Sequence, residues 1–377
     1  MTKPLRIGIA CYPTFGGSGT VAVELASALA ARGHEVHVVS YAPPVRLLPQ
    51  RGLSYHEVDV SAYPLFKYPP YEMALASKLA DLARRHRFDI LHAHYAVPHS
   101  LSAVLAREIV GRDHVRVVTT LHGTDVTLVG SDPAYRPIVE YALARADGIT
   151  AVSRFLCDET RRVIHDDPRI TTIPNFVDTS VFNPDARGSM RSCLAYGDEA
   201  ILVHVSNFRP VKRVEDVVKI YAGVRAKKHA RLVMVGDGPD RAAALRTAEE
   251  LGVADGVLFL GAVTDVAAVI AAGDAFLLPS AGESFGLAAL EAMACGVPVV
   301  GAAAGGLPEV VRDGIDGILE PVGDTGAMSS RLVALLENRS ALNAAREAAM
   351  ERARNTFSTD HIVPMYEAAY AAALAAP

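Results

Sequence analysis

Two glutamates, Glu283 and Glu291, bracket the stretch of this chain richest in chemistry, Glu-Ser-Phe-Gly-Leu-Ala-Ala-Leu-Glu. An apolar run, Ala275–Pro279, precedes it, and a helical pattern continues from it to Gly296. The pattern places Glu283 in a strand-to-helix loop and Glu291 about two turns along the helix. At ~1.5 Å rise per residue, the two carboxylates stand roughly 12 Å apart. That is about the reach of a hexose, a diphosphate and a ribose laid end to end. The amides of Ser284, Phe285 and Gly286 fall between them, at a helix start suited to an anion.

A second loop, Ser206-Asn-Phe-Arg-Pro-Val-Lys-Arg213, adds Arg209 and Lys212 after another apolar strand pattern. Two cations there suit a diphosphate, whose charge must be offset as it leaves; the bland alternative is a solvated basic patch. Thr14-Phe-Gly-Gly-Ser-Gly19 is a glycine-rich loop after the first strand pattern, a candidate phosphate approach at Gly17 and Ser18. Gly17–Ala22 formally fits a dinucleotide fingerprint, but the acidic residue that fingerprint needs after the next strand is missing, since that strand ends Val38-Val39-Ser40. His92 and His94 share one face of a strand and read as a polar pocket wall or as two metal ligands without an evident third. His122, in Leu121-His-Gly-Thr-Asp125, is either a turn histidine or a contact to a sugar hydroxyl or developing charge. Gly236–Pro239 is a turn or a nucleotide contact, and Gly301–Glu309 a flexible loop leading into a helix with Pro308 near its start. No Asp-x-Asp occurs in the chain. Transferases that hold a sugar diphosphate through a divalent metal commonly use that pair, so the expected chemistry is metal-independent, with no cofactor.

These loops need elements to hold them. A chain of 377 residues is long for one core, and half of it is hydrophobic. Apolar runs alternate with helical patterns twice over: Leu5–Cys11, Glu35–Ser40, Ile90–Ala93, Val115–Thr120 and Gly148–Val152 in the first half, then Ala200–Ser206, Arg231–Val235, Val257–Leu260, Ala275–Leu278 and Val297–Gly301. This βα alternation predicts two doubly wound parallel sheets. The expected domains are 1–175 and 176–356, with a helical segment 357–377 that returns to the first and bends at Pro364. Ligands of such sheets bind beyond the carboxyl ends of the strands, where all these loops lie.

A net charge of −5 argues against nucleic acid as a partner. Cys11, Cys157, Cys193 and Cys295 form no Cys-x-x-Cys pair and read as small core residues in a reducing compartment. The first apolar run is too short for a secretion signal, and no run of ~18 apolar residues could span a bilayer. The expected location is the cytoplasm, with no membrane partner.

Taken together, Glu-x7-Glu, the Gly-Gly-Ser-Gly loop and the Arg209/Lys212 pair resemble glycosyltransferase family 4, over nearly the whole chain. The resemblance implies the GT-B fold, two Rossmann-like domains facing a central cleft, and transfer with retention of configuration. Cys11–Gly19, Phe66–Tyr71, His92–His99, Leu121–Asp132 and Ser206–Arg213 further resemble the branch that moves N-acetylglucosamine from UDP to the hydroxyl of L-malate, opening bacillithiol biosynthesis. It implies that Glu283 holds donor-sugar hydroxyls and that the amides of Phe285 and Gly286, with Ser284 beside them, meet the diphosphate. Glu291 would then take the ribose hydroxyls, and Arg209 and Lys212 would stabilise the leaving UDP, with Asn207 in the same loop. Val263 backbone would meet the uracil, Gly17 and Ser18 the phosphate, and His122 the sugar. The acceptor carboxylates need cations and hydroxyls, for which Lys67, Tyr95, Thr120 and Arg154 are the candidates. No metal ligands are expected, and a homo-oligomer is compatible with this reading. The alternatives are a transferase of the family with another acceptor, such as an inositol phosphate or another sugar, a UDP-sugar epimerase on the same fold, and a non-catalytic nucleotide-sugar-binding protein. A pyridoxal-dependent phosphorylase has no lysine that stands out as a Schiff-base partner.

Overall fold

The computed structural model describes residues 3–14, 17–60, 67–164, 167 and 169–376. Phe15, Gly16 and Phe66, quoted in the motifs above, lie outside the described residues. The chain divides into two compact units, one of residues 1–175 with 360–377, the other of residues 176–359.

The first unit runs β1 (Arg6–Ala10), α1 (Gly17–Ala31), β2 (Glu35–Ser40), β3 (Leu53–Glu57), α2 (Tyr71–His86), β4 (Ile90–His94), α3 (Leu101–Val110), β5 (Arg116–Leu121), α4 (Arg136–Arg145), β6 (Gly148–Ala151), α5 (Arg154–Val163) and β7 (Ile170–Thr172). Its seven strands are ordered β3-β2-β1-β4-β5-β6-β7, and every pairing is parallel. Ile7, Ile9, Val36, Val38, Ile90 and Val118 are fully buried, as apolar runs are in a sheet covered on both faces.

The second unit runs α6 (Met190–Leu194), β8 (Ala200–Val205), α7 (Val214–Arg225), β9 (Ala230–Val235), α8 (Arg241–Glu250), β10 (Val257–Gly261), α9 (Val266–Ala271), β11 (Ala275–Leu278), α10 (Leu287–Ala294), β12 (Val299–Ala302), α11 (Leu307–Val310), β13 (Gly317–Glu320), α12 (Thr325–Glu337) and α13 (Arg339–Phe357). Its six parallel strands are ordered β10-β9-β8-β11-β12-β13. Leu202, Met234, Leu277 and Val300 pack with Phe208, Val217, Tyr221, Met328 and Leu332 in its core. Asp265, Asp324 and Asn338 cap α9, α12 and α13, each accepting a backbone amide three residues on.

The last helix, α14 (Thr359–Ala375), joins the first unit from Asp360 onward and runs unbroken through Pro364. Ile362, Val363, Tyr366, Tyr370 and Ala373 are its buried residues there. Arg32 donates two hydrogen bonds of 2.9 Å to the Glu367 carboxylate, and His34 Nε2 lies 3.0 Å from the same group. Arg32 therefore holds the Glu367 carboxyl below its usual range, chiefly through those hydrogen bonds. Of the cysteines, Cys11, Cys157 and Cys295 are buried, but Cys193 is exposed on the short helix α6, against the expectation of a core residue.

Candidate active site

In the second unit the order of strands reverses between β8 and β11. Chains leave those two strands in opposite directions, which opens a crevice at their carboxyl ends. The loop after β8 carries Asn207, Arg209 and Lys212; the loop after β11 carries Glu283, Ser284, Phe285 and Gly286. The reversal thus brings together the loops that carry Arg209, Lys212 and Glu283. Lys212 Nζ lies 2.6 Å from Glu283 Oε1, with only 21% and 11% of the two side chains exposed. The two loops are also stitched by backbone, the Ala281 amide donating to the Val211 carbonyl at 2.8 Å. Arg209 is exposed and makes no ion pair among the described residues.

The Glu283 loop has a second support. The Gly306 amide donates to the Glu283 carbonyl at 2.6 Å, and a Cβ placed on Gly305 would stand 2.2 Å from that oxygen. Gly305 also has φ of +63°, so the loop after β12 can pass Glu283 this closely only with glycine there. The loop after β9 is pinned the same way, since a Cβ on Gly236, with φ +109°, would meet the Ser206 carbonyl at 1.9 Å.

Beneath the Arg209 loop lies His204, fully buried on β8. Its Nδ1 is 2.8 Å from the Leu277 carbonyl and its Nε2 is 2.7 Å from Ser206 Oγ. A carbonyl only accepts, so the partners assign the proton to Nδ1 and leave Nε2 to accept from the Ser206 hydroxyl. The Phe208 amide then donates to Ser206 Oγ at 3.2 Å. Burial pushes His204 down to about 4. Phe208 and Arg213 both have positive φ, 41° and 50°, so this polar chain and the buried Phe208 ring hold a strained turn.

Helix α10 begins at Leu287, with Gly286 at φ +100° as its N-terminal flank. This corrects the helix start expected at Ser284. The amides of Ser284, Phe285 and Gly286 are loop amides ahead of the helix, and Glu291 lies a little over one turn into it. The Phe285 ring is buried and meets Phe357 edge-on at 5.6 Å, which leaves its backbone as the part open to a ligand role. Glu291 is itself only 5% exposed. Val263 is half-buried in the loop after β10.

In the first unit the strand order reverses between β1 and β4. Gly17 and Ser18 open α1 after β1, Tyr95 follows β4 and His122 follows β5. A Cβ on Gly17 would meet nothing within 4 Å, so protein packing does not demand glycine there. Tyr95 has φ of 100°, its hydroxyl bonds to Thr124 Oγ1, and its ring packs edge-on against Tyr12 at 5.4 Å. His122 Nε2 lies 3.0 Å from His94 Nδ1, with the rings stacked at 5.2 Å. Burial pushes His122 down to about 3, with nearby His99 adding to it. A neutral His122 is a hydrogen-bonding group rather than a cation. Asp125 turns its carboxylate onto the amides of His122, Gly123 and Ala96. It is fully buried, and burial pushes it up to about 6 against those hydrogen bonds.

One acceptor expectation needs correction. Thr120 is fully buried, its hydroxyl held at 2.7 Å by both His92 Nε2 and Thr150 Oγ1. It belongs to the wall behind the strand ends and offers no face to a ligand. His92 completes that wall through Nδ1, 2.8 Å from the Tyr370 hydroxyl, which also answers the metal alternative for His92. Lys67 is exposed with its ammonium 5.4 Å from the Tyr68 ring, and Arg154 is the exposed first residue of α5. No hydrogen bond among the described residues joins Lys67 to Tyr95. The participation of His204 was missed by sequence reasoning, although a histidine inside the apolar run Ile201–Val205 was a signal for it.

Residues 15–181 match the family model for Glycosyltransferase Family 4, and residues 188–355 match that for Glycosyl transferases group 1. Among curated relatives, the N-acetyl-alpha-D-glucosaminyl L-malate synthase of Bacillus anthracis is 44% identical over 368 residues, covering 97% of this chain and 96% of the relative. The D-inositol 3-phosphate glycosyltransferase of Mycobacterium avium is 33% identical over 393 residues, covering 95% and 89%. Among solved structures, the Anabaena protein HepE in complex with UDP and glucose superposes with a TM-score of 0.84 at 20% identity, covering 97% of this chain and 99% of that one. The sucrose-phosphate synthase of Thermosynechococcus elongatus gives 0.80 at 22% identity, covering 97% and 98%.

Proposed function

We propose that this chain, which belongs to glycosyltransferase family 4, moves N-acetylglucosamine from UDP-N-acetylglucosamine to the hydroxyl of L-malate with retention of the α configuration, in the cytoplasm and without a metal. The single observation that carries the donor half is the Lys212–Glu283 pair at the strand reversal of the second unit, with Arg209 beside it. The likeness to the Bacillus anthracis synthase supports the donor sugar and the acceptor.

In this reading Glu283 holds hydroxyls of the sugar, the loop amides of Phe285 and Gly286 meet the diphosphate, and Glu291 takes the ribose. Arg209 and Lys212 offset the charge that develops on the leaving UDP, the role a metal would otherwise fill. The bond from the anomeric carbon to the phosphate oxygen breaks, and its electron pair stays on the diphosphate. The malate hydroxyl attacks from the face the diphosphate leaves, and its proton passes to the departing phosphate oxygen. A double displacement needs a carboxylate on the opposite face of the sugar. Glu283 is engaged by Lys212 and Asp125 by backbone amides, so front-face substitution is the reading these residues support. His122, neutral at physiological pH, is proposed to meet a sugar hydroxyl, and Tyr95 the acceptor.

UDP release measured with and without L-malate, with the product mass determined, tests the proposal. Release that requires malate and yields N-acetylglucosaminyl malate is expected. Preference for an inositol phosphate would move the chain toward the Mycobacterium avium activity, donor consumption without acceptor would make it an epimerase, and UDP binding without release a binding protein. EDTA should leave the rate unchanged; loss restored by Mg²⁺ would overturn metal independence.

A further inference from the structure

Away from the loops just described, three histidines of the first unit converge where β2, β3 and the end of α2 meet. His37 lies on β2, His56 on β3, and His86 is the last residue of α2. One ligand atom from each lies within 4.8 Å of the other two. The rings are packed together, with centroids 4.2 Å apart for His37 and His86 and 5.1 Å for His37 and His56. Nothing in the proposed transfer reaction uses them.

The hydrogen bonds fix how His37 is aimed. Glu35 Oε1 lies 3.0 Å from His37 Nε2. A carboxylate accepts, so Nε2 carries the proton and Nδ1 of the neutral ring presents a lone pair. That lone pair points at His56 Nε2, 2.8 Å away. A carboxylate behind one imidazole nitrogen, orienting the other, is the usual outer support of a metal-bound histidine. Burial lowers His37 and brings His56 down to about 4, which favours the neutral form of these two rings. His37 is 3% exposed but His86 is 33% exposed, which leaves an entry path from solvent. Lys78, the nearby cation, opposes binding, and the Glu35 carboxylate offsets it.

We propose that His37, His56 and His86 form a binding site for a divalent transition-metal ion of the zinc type, with Glu35 orienting His37 from behind. Imidazole nitrogens suit zinc, cobalt, nickel and copper, and tetrahedral zinc takes them at ~2.0–2.1 Å. Donor atoms on such a tetrahedron stand roughly 3.3 Å apart by that bond length. The His37–His56 contact of 2.8 Å would therefore open by about 0.5 Å, and the proton His56 shares with His37 would move to the far nitrogen of its ring. The ion would tie the edge strand β3 and its neighbour β2 to the end of α2. It is separate from the donor chemistry, so its binding and the metal independence of transfer are read by different assays.

The test is a titration of the chelator-treated full chain with Co²⁺ alone, followed by visible absorption. One equivalent should give the intense bands of tetrahedral cobalt without thiolate charge transfer, and Zn²⁺ should bleach them. His56→Ala and His86→Ala should abolish the bands while malate-dependent UDP release is retained, and Glu35→Gln should weaken binding roughly 10–100-fold. Absence of the bands in the wild-type chain overturns the proposal, as does their survival in His56→Ala or His86→Ala. If the variants fail to fold, the wild-type imidazole resonances decide it: Zn²⁺ must shift those of His37, His56 and His86, and unmoved resonances overturn it.

Discussion

Lys212 Nζ sits 2.6 Å from Glu283 Oε1, across the point where the second sheet reverses its strand order. The two residues are 71 apart in sequence and on different loops. Each has been assigned its own ligand group, the diphosphate for Lys212 and the sugar for Glu283. Their contact makes them one unit: each fixes the other's position, and neither is placed without its partner.

That coupling predicts strong non-additivity. Lys212→Ala should lower turnover by about 10²–10³-fold, the range for removing one group that stabilises developing charge. Glu283→Ala should lose a similar amount, and the double variant little more than either single one. Far-ultraviolet circular dichroism should stay that of the parent, since both side chains lie at loop ends. Losses that multiply would show that the two act independently, and near-normal turnover in Lys212→Ala would sink its leaving-group role.

The loops carrying this pair were legible because chemistry in a doubly wound sheet collects after strand ends, and the central strands are the most apolar runs in the chain. The edges were less legible: the edge strand β10 was read at Val257–Leu260, but the edge strand β3 was not. β3 reads Leu-Ser-Tyr-His-Glu, and its residues are half exposed, so its pattern lacks the buried run that marks β1 or β8. α13 buries only Leu342, Ala345, Ala349, Ala353 and Phe357 along 19 residues, a stripe of small side chains with little periodic contrast. Thr120 looked like a hydroxyl at a strand end, and sequence could not show that His92 and Thr150 claim it from either side. Pairings such as Lys212 with Glu283 depend on which strands are neighbours, and strand order is not written in local pattern.

Glu291 lies within α10 rather than at its start, and it is nearly buried. A carboxylate that holds ribose touches the same atoms in the ground state and the transition state. Glu291→Gln should therefore raise KM for UDP-N-acetylglucosamine more than it lowers kcat. Steady-state kinetics with malate saturating separate the two parameters. A fall confined to kcat would place Glu291 on the reacting sugar instead.

The wall formed by Tyr370, His92, Thr120 and Thr150 ties the final helix to strands β4, β5 and β6. Tyr370→Phe removes the hydroxyl and leaves a buried imidazole nitrogen without its partner. The cost should be about 1–3 kcal/mol, measured as a lowered urea midpoint for the first unit. A midpoint within error of the parent would show that the hydroxyl is dispensable to the packing of α14.

His204 gives the second unit a pH dependence whose sign follows from its burial. Its folded value is about 4, below the ordinary imidazole near 6.5, because desolvation disfavours the charged ring. Above pH ~6.5 neither the folded nor the unfolded state binds the proton, and the stability is whole. Between there and about 4 the unfolded chain takes up a proton that the folded chain refuses, so stability falls as pH falls. The loss approaches about 3 kcal/mol at the lower end, from ~1.36 kcal/mol per pH unit. Once His204 is protonated, Nε2 can no longer accept from Ser206, and the hydrogen bond that seats the Phe208 amide loosens. His204→Asn should flatten this part of the stability profile and lower kcat by displacing Arg209 and Lys212. The direct measurement is the His204 ring resonance followed across the titration. A midpoint near 6.5 would show that the ring is solvated and that the turn is held by the Phe208 side chain alone.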